Sequence, residues 1–316
     1  MAIYKDIIIL AIGIVAIIKS ADLFTNAAEA IAAFFKIPRS IVGLTIVSIA
    51  TTMPEFAVSA FSAYMHVGGI AVGNATGSCL ANIGLILGTA AVIGTVKLKQ
   101  QTINQELMFL CAVSVLLWLF MRDGMLTFID GAILTVMMAG FFIYIVLRQL
   151  NEQKKEKAEK RSLMHIRNDV LKFAAGSAGV VISAKYAIIP SGVAIAQYLK
   201  VPEIVIGVSM IAVGTSLPEL VTAVVASSKK MGDLAAGNVL GANILNILWV
   251  LGCSSMIYPL SIDSQTISVT MPLVIGFALM VYFFSRKTFE INRNAGIIFI
   301  SAYIVYIIYI VKFAYN

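Results

Sequence analysis

The chain has 316 residues, 60% of them hydrophobic and only 12% charged, with a net charge of +7. A mean hydropathy of +0.95 excludes a soluble enzyme or binding domain of this length. Apolar runs of about 20 residues recur, the length that crosses a ~30 Å hydrocarbon core, whereas a β-barrel would alternate over ~10-residue segments. The fold class expected is therefore an all-α integral membrane protein.

Ten spans are expected in chain order: Ile7–Phe35, Ser40–Tyr64, Ile70–Gly94, Glu106–Met121, Leu126–Leu147, Val170–Leu199, Glu203–Ser228, Leu234–Tyr258, Ile267–Ser285 and Ala295–Phe313. Lys5 followed by Ile7–Ile18 has the look of a signal peptide. A first span accounts for it better, because the apolar run continues through Ala27–Phe35 and has a counterpart inside the chain. Between the fifth and sixth spans lies the one hydrophilic segment, Arg148–Asp169, whose Lys/Glu alternation suits a solvated helix or a linker. The division expected is residues 1–147, a linker at 148–169, and residues 170–316.

Lysine and arginine fall seventeen on one side of these spans and four on the other. The richer side is then cytoplasmic, so the 148–169 loop lies inside and both termini face out of a cell membrane. The positive charge belongs to loops, and nucleic acid is not an expected partner. Lys19 and Lys185 lie within spans, where snorkelling or a pair such as Lys19 with Asp22 accommodates them. Cys79, Cys111 and Cys253 form no metal or disulfide spacing and read as small buried residues. His66 and His165 stand alone near span ends and receive no role.

The chain repeats itself. Pro38–Gly88 aligns with Pro202–Gly252 at a constant offset of 164 without a gap. The matching pairs are the letters rare in spans: Gly43/Gly207, Thr51/Thr215, Pro54/Pro218, Glu55/Glu219, Gly73/Gly237, Asn74/Asn238, Gly77/Gly241, Asn82/Asn246 and Gly88/Gly252. Shared hydrophobicity does not produce that pattern. Five spans per half is odd, so the second half enters the membrane from the opposite face. Two inverted five-helix repeats put a site near the midplane and suit alternating access.

The chemistry sits in the repeated stretches Gly43–Glu55 (GLTIVSIATTMPE) and Gly207–Glu219 (GVSMIAVGTSLPE). A carboxylate in a span costs roughly 2.5–3.5 kcal/mol on insertion scales, so Glu55 and Glu219 need a reason to be there. Pro54 has no N–H and leaves the carbonyl of Ala50 without its helical donor, which makes carbonyls near Ala50 and Thr51 available. Thr51, Thr52 and Glu55 share a helix face, and Thr215, Ser216, Pro218 and Glu219 repeat the arrangement. Each following span carries Gly-Asn-x-x-Gly and then an asparagine: Gly73, Asn74, Gly77, Ser78, Asn82, and Gly237, Asn238, Gly241, Ala242, Asn246. The glycines at GxxxG spacing let backbones approach. The oxygen-only donor set suits calcium or an alkali cation rather than zinc or copper. Helix packing explains any single one of Ser78, Asn74 or Asn238 as well as ligation does. It does not explain two carboxylates with no arginine in adjoining spans.

These motifs resemble the two α-repeats of the cation/calcium exchanger superfamily, and most closely its prokaryotic sodium/calcium exchanger branch. The resemblance covers nearly the whole chain. It implies that Glu55 and Glu219 ligate calcium with the carbonyls of Thr51 and Thr215. It implies overlapping sodium sites that use the carbonyls of Ser48 and Ala212, the side chains of Thr52, Ser78, Thr215 and Ser216, and the same glutamates. Asn82 and Asn246 would line the centre, and the first and sixth helices would slide across the other eight. Asn246 stands where many relatives have aspartate, which argues against potassium co-transport. Ala242 replaces a usual serine and removes one hydroxyl from a sodium site. Proton-coupled relatives typically carry another glutamate after the Gly-Asn pair; Thr76 and Leu240 here favour sodium.

The function expected is a secondary antiporter that exchanges calcium for sodium, with the bilayer and the two ions as partners. No enzyme activity, cofactor or obligatory protein partner is expected. Two carboxylates match one calcium in formal charge, and a third sodium would leave a net positive charge, so the exchange would be electrogenic. The alternatives are a calcium/proton or other cation exchanger on this fold, or a cation channel with a carboxylate ring. A channel needs no counter-ion, and a proton antiporter answers to a pH gradient.

Overall fold

The computed structural model describes residues 2–35, 39–66, 68–153, 163–198 and 214–314. The protein is an all-α integral membrane protein, and among the described residues ten helices follow one another. They are α1 (Ala2–Phe34), α2 (Gly43–Tyr64), α3 (Gly68–Ile93), α4 (Thr102–Asp123) and α5 (Phe128–Gln153). The second set is α6 (Leu163–Ser183, continuing to Tyr198), α7 (Leu217–Ser228), α8 (Gly232–Ile257), α9 (Thr266–Ser285) and α10 (Arg293–Ala314). Eight of them are long and apolar enough by composition to cross a bilayer. Helices are the solution because a span must satisfy its backbone N–H and C=O groups within itself.

Four two-residue strands reveal the inversion. β1 (Val96–Lys97) pairs antiparallel with β4 (Glu290–Ile291), and β2 (Met125–Leu126) pairs with β3 (Leu260–Ser261). β1 precedes α4 and β2 follows it, so the two ribbons mark opposite ends of α4. β3 precedes α9 and β4 follows it, so α9 runs from the second ribbon back to the first. Equivalent helices of the two halves therefore run in opposite directions, and each half supplies one strand to each ribbon.

The core lies where α3 and α8 meet. In the most apolar window of α8, 94% of residues are buried, and in that of α3, 78%, against 22% in α1, so the repeated Gly-Asn helices are the ones least exposed to lipid. Backbone contact between the halves depends on missing side chains. A Cβ on Gly43 would run into the Leu234 carbonyl and stand 2.8 Å from the backbone nitrogen of Asn238; one on Gly241 would meet the Leu44 carbonyl and stand 2.6 Å from Ser48 Oγ. The stacked rings of Phe56 and Trp249, 4.4 Å apart, extend the α2–α8 seam.

Each half widens its helices at matching places. π-type turns occupy Asn82–Leu87 and Asn246–Leu251, and again Thr102–Leu107 and Thr266–Thr270, each pair beginning 164 residues apart. Such turns misalign the backbone ladder and recur at functional sites. Side chains compensate locally: Trp118 Nε1 donates to the Ile267 carbonyl at 2.8 Å, and Ser48 Oγ donates to Leu44 O at 2.7 Å within a further wide turn, Gly43–Val47.

α1 and α6 form a pair somewhat apart. Gly176 lets α6 approach the backbone of Phe24, and the rings of Phe24 and Phe173 lie 4.6 Å apart. Ile17, Ala21 and Val180 make their own small apolar cluster, which leans on Leu217, Val221 and Val225 of α7.

One expectation changes. Asp22 pairs with Lys229, not Lys19, and Lys229 also donates to Asn26 Oδ1 at 2.7 Å. Lys229 follows the last turn of α7 and reaches α1 across the packing, which sequence spacing along α1 does not show. The hydrophilic segment is partly an extension of its flanking helices: α5 runs on to Gln153 and α6 begins at Leu163. Its first residue, Arg148, turns inward to the buried Glu106 at 3.0 Å.

Candidate cation-binding site

Glu55 and Glu219 are 0% and 1% exposed, each held by a hydroxyl from the other half. Ser216 Oγ donates to Glu55 Oε1 at 3.0 Å, and Thr52 Oγ1 donates to Glu219 Oε1 at 3.3 Å. Among the described residues, no lysine or arginine pairs with either. Two buried carboxylates without a cationic side chain carry a large desolvation cost that only a bound positive charge or protons offset.

The surrounding shell repeats the same crossed symmetry. Thr51 Oγ1 donates to Asn238 Oδ1 at 3.2 Å, and Thr215 Oγ1 donates to Asn74 Oδ1 at 3.1 Å. The Asn74 amide also donates to the Glu55 carbonyl at 3.1 Å and to Ser59 Oγ at 2.9 Å. Ser216 and Ser78 hydroxyls are 3.1 Å apart. Asn82 and Asn246 open the wide turns of α3 and α8.

The informative atoms are those left over. Glu55 Oε2, Glu219 Oε2, Asn82 Oδ1 and both polar atoms of Asn246 are buried and have no hydrogen-bond partner among the described residues. Buried polar atoms are ordinarily paired, so a set of four unpaired oxygens on the four repeated helices makes this the candidate place for a ligand. Carboxylate and amide oxygens are hard donors, the set that calcium and sodium take.

Most of the residues expected from sequence are paired here: Ser216 bonds Glu55 and Ser78, Thr215 reaches the Glu55 carbonyl through Asn74, Thr52 bonds Glu219, and Thr51 bonds Asn238. Ser48 is fully buried and donates its hydroxyl hydrogen to the Leu44 and Thr45 carbonyls, while its own carbonyl accepts from Thr51 Oγ1 at 3.4 Å. Ala212 lies outside the described residues. The two proline turns are not alike. Pro54 stands inside a continuous helix, Ser48–Tyr64, whereas Pro218 sits in the first turn of α7 after a break at Ser216. Sequence reasoning treated the copies as the same, because motif identity does not say where the helix begins. It also passed over Asn243, whose amide touches Asn82.

The protein-family model described as sodium/calcium exchanger protein matches residues 5–148 and again 169–312, two matches that stand 164 residues apart at both ends. Sodium/calcium exchanger MaX1 of Methanosarcina acetivorans is 29% identical over 96% of this chain and 97% of its own length. Inner membrane protein YrbG of Escherichia coli is 33% identical over 95% of this chain and 94% of its own. A solved structure of the sodium-calcium exchanger NCX_Mj, soaked with zero Na+ and Ca2+, superposes with a TM-score of 0.85 at 29% identity, covering 98% of this chain and 99% of that one. The doubled match, the inverted halves and the crossed pair of buried glutamates agree: this chain is a membrane transporter that belongs to the sodium/calcium exchanger protein family.

Proposed function

We propose that the protein exchanges calcium for sodium across a cell membrane by alternating access, using Glu55 and Glu219 as the charged ligands. The observation that carries this reading is the pair of carboxylates, each steadied through one oxygen by the other half and each with its second oxygen buried and unpaired. Thr51 and Thr215 would add backbone carbonyls to calcium. Thr52, Ser78, Thr215 and Ser216 side chains, with the carbonyls of Ser48 and Ala212, would complete sodium sites on the same glutamates. Ligands shared between the two ions make their occupancy exclusive, which is the requirement for antiport. Two negative charges balance one calcium; more than two sodium ions in its place would leave net positive charge and make the cycle electrogenic.

Residues 1–147 and 170–316 would act as the two halves, with 148–169 as a cytoplasmic connection and both termini outside. α1 and α6, with their separate apolar cluster, are the pair that would slide across the site. Their apolar contacts with Leu217, Val221 and Val225 of α7 suit sliding, and the pairing of Lys229 with Asp22 and Asn26 would have to break or follow the movement.

The test is flux in reconstituted vesicles. Calcium uptake should follow an outward sodium gradient and generate a membrane potential. Uptake that follows a pH gradient and ignores sodium would assign proton coupling instead. Uptake with no counter-ion gradient would assign a channel.

A further inference from the structure

Asn243 Nδ2 donates to the backbone carbonyl of Cys79 at 3.1 Å, and Asn243 Oδ1 accepts from Asn82 Nδ2 at 2.9 Å. A main-chain carbonyl can only accept. It therefore dictates which end of the Asn243 amide faces it and turns the Asn243 oxygen toward Asn82. Asn82 must answer with its NH2 group. Its own oxygen is left buried, with no hydrogen-bond partner among the described residues. The order of polarity starts from a group that cannot turn over and ends at an oxygen of the candidate site.

The repeat offset maps Cys79 onto Asn243 and Asn82 onto Asn246. By that symmetry the side chain at position 79 would orient Asn246. A thiol cannot do it: Cys79 Sγ lies 3.9 Å from the Asn243 carbonyl, where its single hydrogen is used, and it offers no oxygen to an amide. Asn246 accordingly has both Oδ1 and Nδ2 buried and without a hydrogen-bond partner among the described residues. One residue type at one place in the repeat is held in the first half and unheld in the second.

We infer that Asn243 is a positioning residue that locks Asn82 as a permanent oxygen donor to the cation, and that Cys79 withholds the same lock from Asn246. This rests on the cation-site reading above. Asn82 then binds without reorganisation, as preorganised ligands do. The Asn246 amide turns its oxygen inward only in response to the charge it meets. A divalent ion pulls that oxygen twice as hard as a monovalent one at equal distance. Asn246 is thus the side chain whose contribution separates calcium from sodium, and Asn82 serves both.

The experiment is calorimetric titration of purified full-length protein with calcium in sodium-free buffer. Asn243→Leu removes both hydrogen bonds at similar volume and should raise the calcium Kd about 10-fold. In an Asn82→Leu background the same substitution should change Kd by less than about 2-fold, because nothing remains to be oriented. Cys79→Asn supplies the missing acceptor and should tighten calcium about 3-fold, an effect that vanishes in an Asn246→Leu background. Cys79→Asn carries the test alone where Asn243→Leu does not fold. Losses that add in the Asn82 background, or a calcium Kd unchanged by Asn243→Leu or Cys79→Asn, would overturn the lock. A wild-type protein that binds no calcium would instead overturn the cation reading beneath it.

Discussion

Ser216, at the break just before α7, donates its hydroxyl hydrogen to Glu55 of α2 at 3.0 Å, across 161 residues of chain. The repeat equivalent, Thr52 to Glu219, closes the same contact from the other side at 3.3 Å. Each half therefore holds the other's carboxylate, and a change in either half is felt at both.

Glu55→Gln and Glu219→Gln should each abolish calcium-dependent thermal stabilisation while the ligand-free unfolding temperature stays close to wild type. Amide and acid are nearly isosteric, and each change removes half the formal charge. Wild-type calcium stabilisation in either variant would show that the ligand lies elsewhere.

Asn246→Asp adds a third titrating carboxylate to two that already share the site, so their protonation becomes coupled. Sodium-driven calcium flux should become more dependent on pH than in wild type. Flux recorded across a pH series decides this: profiles that superimpose would mean that Asn246 does not reach the ions.

Gly241→Ala should destabilise the protein by about 1–3 kcal/mol, the usual cost of overpacking. The added Cβ meets the Leu44 carbonyl and stands 2.6 Å from Ser48 Oγ. Gly276→Ala is the control, since nothing lies within 4 Å of its Cβ among the described residues. Thermal unfolding in detergent should separate the two; equal midpoints would argue against the tight α2–α8 seam.

Arg148→Leu leaves the 3%-exposed Glu106 carboxylate without its cation. Removing one partner of a buried pair costs about 3–5 kcal/mol, and replacing both by apolar residues costs far less. The double variant Arg148→Leu/Glu106→Leu should recover most of the lost unfolding temperature. No recovery would mean that the arginine acts through some other contact.

Replacing residues 154–162 with a flexible Gly/Ser run that keeps several lysines should leave the sodium–calcium competition curve unchanged. The family match stops at 148 and resumes at 169, so this stretch has no counterpart in the repeat. A shifted curve would make the loop an ion sensor.

Much of this protein was legible in its sequence because the membrane makes polar letters rare. Hydrophobic length alone determined the helices, and an odd number of spans per half determined the inversion. Glu55 and Glu219 stood out because a buried carboxylate needs a reason that packing does not supply. What the sequence could not decide is which side chains meet. The crossing of Thr51 to Asn238 follows from the close approach of α2 and α8 at Gly43 and Gly241, and its counterpart joins Thr215 to Asn74 of α3. Asp22 pairs with Lys229 because α7 ends beside α1, a fact of packing that spacing along one helix does not contain. The different surroundings of Pro54 and Pro218, and of Asn82 and Asn246, come from the same cause. Repeated letters set equal chemistry in the two halves, but orientation depends on neighbours contributed by the other half, and there the pairing of Cys79 with Asn243 is unequal.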